Sequence, residues 1–196
     1  MAARRIAAFF LLLLLGSGLP ALAGEKRAGP GREAGTAKAR EQQWEAAYAR
    51  WQEAMPPCLR SLWTPERYME IPDEANMEPL RKALSEGVPD PRERALALFA
   101  WHGSGMGPWS GYPAYENAAE HLLLDLPVPV LIAAAEAPLD ERQTEGAARL
   151  FAGWGFYKRH GRPALPEALG KKLLEHSLQS SDADRTERAK RAFAPE

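Results

Sequence analysis

From residue 44 to residue 193 the large apolar side chains recur three and four positions apart, and each run is interrupted by proline, glycine or aspartate. Trp44, Ala47, Tyr48, Trp51 and Met55 form the first such stripe, with charged residues between them and Pro56-Pro57 behind. Spacing of this kind places side chains on one face of an α-helix, and a proline pair cannot continue it. Thr64-Pro65-Glu66 reads as a helix start: a hydroxyl cap, proline at the first position, then an acid near the positive end. Pro72-Asp73 opens a helix carrying Met77, Leu80, Ala83 and Leu84, with Gly87 at its end. Asp90-Pro91 opens another that runs through Leu96-Ala97-Leu98-Phe99 to Trp101 and stops at Gly103. That helix is apolar on most sides and is expected at the centre of the packing.

The rhythm continues to the end of the chain. Tyr115 to about Leu126 forms a helix, and Pro127 breaks it. Val130 to Ala137 is a short apolar piece whose alanines and flanking prolines favour helix. Asp140 begins a long helix with Ala147, Leu150, Phe151, Trp154 and Tyr157 on one face, ending at Gly161. Leu165, Leu169, Leu173 and Leu174 mark a helix from about Pro166 to Gln179. Ser181-Asp182 starts a polar terminal helix with Ala189, Ala192 and Phe193 on its thin apolar side. No stretch alternates β-branched and polar residues between turn signals, as a strand would. The predicted class is all-α, built from antiparallel helix pairs.

The first residues belong to something else. Arg4-Arg5 precedes an unbroken apolar run from Ile6 to Leu15, and Ala21-Leu22-Ala23 follows. A basic start, a short apolar core and an A-x-A tail make a secretory signal peptide. The run falls short of the roughly 20 apolar residues that span a bilayer, which disfavours an uncleaved anchor. The expected division is a signal peptide over 1–23, a glycine-rich, charged and disordered tail over 24–36, and a single helical domain over 37–196. The expected location is periplasmic or secreted, with no membrane span left after cleavage.

Cleavage after Ala23 leaves 173 of 196 residues and removes two arginines, taking the formal charge from −1 to −3. A near-neutral balance argues against nucleic acid, whose binding rests on neutralised phosphates. A core of this size holds without disulfides. The one cysteine, Cys58, reads as a buried small hydrophobe.

Chemistry has one candidate place. Trp101 to Tyr115 holds four glycines, two prolines, two serines, one histidine and four aromatic residues between two helices. Helix connections in compact domains are usually a few residues long, so a connection near a dozen calls for a reason. Glycines let a backbone approach a partner closely, and aromatics offer flat faces to a sugar ring or a proline-rich segment. The candidate binding residues are Trp101, His102, Trp109, Ser110, Tyr112, Tyr115 and Glu116. The alternative is an Ω-loop that packs its own aromatics inward. Gly103, Gly105 and Gly107 follow a helix rather than a strand, so they form no dinucleotide fingerprint. Gly103-Ser104-Gly105 lacks the spacing of a nucleophile elbow. His102, His121, His160 and His176 are well separated and no H-E-x-x-H is present, so neither a metal nor a cofactor is expected.

The succession Pro72-Asp73 to Gly87, Asp90-Pro91 to Gly103 and Asp140 to Gly161 resembles the HEAT-like α-solenoid proteins of bacteria, whose repeats are about 40 residues and two helices long. The resemblance covers about Ile71 to Phe193, with the Gly107-Pro-Trp-Ser-Gly-Tyr-Pro-Ala-Tyr-Glu116 segment as a further likeness. It implies a short solenoid and a binding or scaffolding role, and it carries over no catalytic residue. A compact helical bundle is the alternative architecture. The expected function is therefore a non-catalytic exported module recognising a protein, peptide or glycan of the cell envelope. The rival is a small cell-envelope hydrolase with His102, Ser104, Ser110 and Glu116 near its site.

Overall fold

A computed structural model describes residues 30–62, 74–105 and 114–193. Among them all regular structure is helical: α1 Pro30–Ala54, α2 Glu74–Gly87, α3 Pro91–Gly103, α4 Ala114–Leu124, α5 Val128–Ala135, α6 Glu141–Ala152, α7 Trp154–His160, α8 Glu167–Leu178 and α9 Ala183–Phe193, with a short 3-10 turn at Pro57–Leu59. No strand occurs among the described residues, and the chain is all-α as its periodicity predicts. The leader over 1–23, the helix start at Thr64-Pro65 and the segment 106–113 lie outside the described residues. The chain divides into two compact units, Met1–Ala49 and Arg50–Glu196. Helix α1 begins at Pro30; proline's fixed φ suits a first helical position.

Local chemistry starts and stops these helices. Asp90 caps α3, its Oδ1 accepting from the backbone N–H of Arg92 (2.8 Å) and Glu93 (2.9 Å), with Pro91 in the first turn. Asp140 and Gln143 make a reciprocal capping box on α6. At the other end of α1, Arg60 donates to the carbonyls of Met55 and Glu53, which Pro56-Pro57 leaves without helical partners. Gly161 ends α7 with φ +77°, the left-handed conformation glycine adopts at least cost. The long helix expected from Asp140 to Gly161 is instead broken at Gly153, where ψ of 149° is extended and α6 gives way to α7. A side chain at Gly155 would collide there with the Glu120 carboxylate of α4, so the break lets α7 approach α4.

Helix α3 is the hub of the larger unit, packing on α4, α5 and most extensively on α6. Its Ala95, Leu98, Phe99 and Trp101 are fully buried, as is expected of a helix apolar on most sides. Two glycines set the α3–α6 distance. A Cβ on Gly146 of α6 would strike the Phe99 carbonyl of α3, with its carbon 2.7 Å away. A Cβ on Gly103 would strike the Arg142 carbonyl, 2.7 Å from the Gly146 nitrogen. The helices cross backbone to backbone, closer than any side chain permits. Gly103 thus serves the crossing as well as ending its helix.

The remaining helices add their apolar stripes to this centre. Ala147, Leu150 and Phe151 of α6 are fully buried, and Phe151 meets Phe156 of α7 edge to face at 5.2 Å. Met77, Leu80 and Leu84 of α2, Leu169 and Leu173 of α8, and Ala189, Ala192 and Phe193 of α9 are buried as their spacing predicts. Cys58 is only half-buried. It lies against Gly87, where an added Cβ would come within 2.6 Å of Cys58 Cβ. Gly87 stands at the helix end for that contact; the only positive φ in the described residues is at Gly161.

Candidate functional site

The helices on either side of the glycine- and aromatic-rich connection are firmly seated. Trp101, in the last turn of α3, is fully buried, and its ring centroid lies 5.3 Å from that of Trp51. His102 beside it is 5% exposed. On the far side Ala118, Leu122 and Leu123 hold α4 in the core. Of the residues singled out from the sequence, Trp101 and His102 are therefore core residues of α3. The backbones of Tyr115 and Glu116 lie in the first turn of α4, and Trp109, Ser110 and Tyr112 fall outside the described residues.

The catalytic arrangement weighed for this segment needs a hydroxyl aimed at a histidine. Ser104 Oγ instead donates to the Ala100 carbonyl at 2.7 Å, one turn back on its own helix. His102 is buried two residues away, and residues two apart on a helix diverge. Ser104 and His102 are not brought together as nucleophile and base. Among the described residues no group of three or more histidines, cysteines and carboxylates gathers to hold a metal.

What the structure does bring together is a polar hub on three helices. Glu145 of α6 sits at the join with α8 and α9, its side chain 12% exposed. Arg149 Nε donates to Oε1 at 2.6 Å, His176 Nε2 of α8 to Oε2 at 2.9 Å, and Arg185 of α9 also to Oε2. Burial pushes the Glu145 carboxyl up. The Arg149 guanidinium, with Arg185 and the histidine N–H, outweighs that and leaves it below its ordinary value of 4.5. A carboxylate with donors on both oxygens is satisfied; Arg149 reaches it from its own helix, and His176 and Arg185 reach it from two others. The hub ties α6, α8 and α9 together.

A second tie involves Asp125, just after α4. Its Oδ2 receives Arg81 Nε of α2 at 2.7 Å and its Oδ1 receives Arg159 Nη2 of α7 at 2.9 Å. Neither tie was picked out from the sequence. Glu145 and Arg149 stand four apart on a helix, a spacing that signals their pair. The partners from other helices lie 31 to 44 residues away, where spacing carries no signal.

Among the described residues no single helix is long and apolar enough to cross a membrane. The one apolar pair, Ala118–Leu124 and Val128–Ala135, is bent by 112°, and its Leu122, Leu123 and Leu131 are buried in the protein. Neither protein-family models, nor curated proteins, nor solved structures give a match to this chain.

Proposed function

We propose that this chain is an exported, non-catalytic helical module that recognises a protein, peptide or glycan of the cell envelope through the segment between α3 and α4. The observation that carries the reading is the anchoring on both sides of that segment. Trp101 is buried against Trp51 where the chain leaves α3, and Ala118 is buried where α4 enters the core. A stretch of glycines and aromatics issuing from so fixed a base can meet a partner with little loss of order in the rest of the protein. Trp109, Tyr112 and Tyr115 supply flat faces, and Ser110 and Glu116 supply polar contacts. The leader over 1–23 sends the module to the periplasm or beyond, and the helix-pair rhythm from Ile71 to Phe193 fits a HEAT-like scaffold.

The test is a double substitution, Trp109→Ala with Tyr112→Ala. A partner recovered from envelope extract by the wild-type protein is identified, purified and titrated against both proteins. The expected result is at least a tenfold loss of affinity, the minimum for removing two aromatic anchors, with the far-ultraviolet circular dichroism unchanged. Equal affinity of the two proteins refutes the reading. Loss of the helical signal also refutes it, because the aromatics would then be plugging the fold.

A further inference from the structure

The end of the α3–α4 pair away from the connecting segment carries a different feature. There a groove of about 400 Å³ opens between α2, the first turn of α3 and the end of α4. Arg94, on its wall, lies nine residues before Gly103, or roughly 14 Å along the helix. The groove wall is therefore well removed from the C-terminal end of α3. Leu84, Leu122 and Leu126 give it an apolar lining, and all three are largely buried.

The charges around this lining do not cancel. Asp125 is occupied by Arg81 and Arg159, and Arg81 also faces Glu78 at 3.6 Å. Lys82 and Arg94 pair with no carboxylate among the described residues. Arg94 Nη2 donates to the Pro89 carbonyl at 3.1 Å, which fixes the guanidinium at the wall. Arg94 Nε is buried without a hydrogen-bond partner among the described residues, so the group holds donor capacity that the fold does not use. Two unspent cations thus stand beside leucines in a groove of small-molecule size, since such sites begin near roughly 300 Å³.

We infer that this groove binds an amphipathic carboxylate, with the acid on Lys82 and Arg94 and a short apolar body on the leucines. Hexanoate is the probe, and hexanol and acetate are its controls, lacking the charge and the apolar body respectively. Titration of the purified protein is followed by amide chemical shifts. For a ligand this small the dissociation constant lies in roughly the millimolar range.

The expected result is saturable shifts at Ser85, Leu122 and Leu126 with hexanoate, weakened by added salt. Hexanol and acetate each bind roughly tenfold more weakly. Lys82→Gln and Arg94→Gln each weaken hexanoate by about tenfold, the worth of one charge-assisted contact. Lys82 is exposed, so its variant keeps the fold and decides the matter if the Arg94 variant does not. Absence of saturable shifts, equal binding of hexanol, or unchanged affinity in Lys82→Gln overturns the inference. The Trp109→Ala, Tyr112→Ala protein is expected to bind hexanoate as the wild type does, so the two proposals stand or fall separately.

Discussion

Replacing Gly146 by alanine should destabilise the protein even though alanine is the better helix former. The intrinsic preference favours alanine by about 1 kcal/mol in a helix interior. Against this, the new Cβ would lie 2.7 Å from the Phe99 carbonyl carbon and 2.9 Å from Phe99 Cα, where ordinary contact begins at 3.4 Å. Both atoms are backbone, so no rotamer change relieves the clash and α3 must move off α6. Overpacking of a core typically costs about 1–3 kcal/mol, and a backbone obstacle belongs at the upper end. Separating the helices also thins the contacts of Leu98, Phe99, Ala147 and Leu150, because a gap of half an ångström or more forfeits a quarter to a half of each dispersion well. The net expectation is a loss of about 2 kcal/mol, or roughly 4–8 °C in Tm for a unit of this size. Gly170→Ala is the internal control. That glycine lies within α8, and nothing stands within 4 Å of an added Cβ. The same substitution there should stabilise by about 0.5–1 kcal/mol. Urea unfolding followed by circular dichroism measures both. A Gly146→Ala protein as stable as the wild type would show that the crossing has slack, and the reasoning from backbone proximity would be wrong.

Three further outcomes follow from the polar ties and caps. Glu145→Gln removes the charge that Arg149 and Arg185 share; since these side chains keep about a fifth of their exposure, the loss should be about 2 kcal/mol, below that of a fully buried pair, and a change under about 0.5 kcal/mol in urea unfolding would contradict it. Because the folded state holds the Glu145 carboxyl below 4.5, its contribution is present at neutral pH and is lost as pH falls from about 5 through the folded value. The wild-type urea midpoint should therefore fall more steeply in that window than that of Glu145→Gln, and parallel profiles would refute the assignment. Asp140→Ala removes the capping box of α6 and should cost about 1 kcal/mol of unfolding free energy, whereas Asp140→Asn should cost much less.

The reach of the sequence follows the distance over which each structural cause acts. Caps, prolines and stripes act within a turn or two, so the starts of α3 at Asp90 and of α6 at Asp140, the end of α7 at Gly161 and the central place of α3 are all readable from neighbouring residues. The break at Gly153 is not. The Glu120 carboxylate of another helix lies against Gly155 just beyond it, and a glycine tolerated inside a helix looks the same in sequence as one that ends it. Gly103 is legible as a stop, but its contact with Arg142 comes from a residue 39 positions on. The candidate binding residues were chosen for their type. Type alone does not tell that Trp101 and His102 lie in the core.

Helix α9 packs on α6 and α8, brings Arg185 to Glu145 and buries Phe193. A nascent chain that has not yet released residues 183–193 from the ribosome holds every other helix but lacks this closing piece. Its Glu145 lacks one of its two guanidinium partners, and the face of α6 and α8 that α9 covers stays open to water. Until residues 183–193 are free to pack, the join of α6, α8 and α9 stays unlocked and its apolar surface exposed.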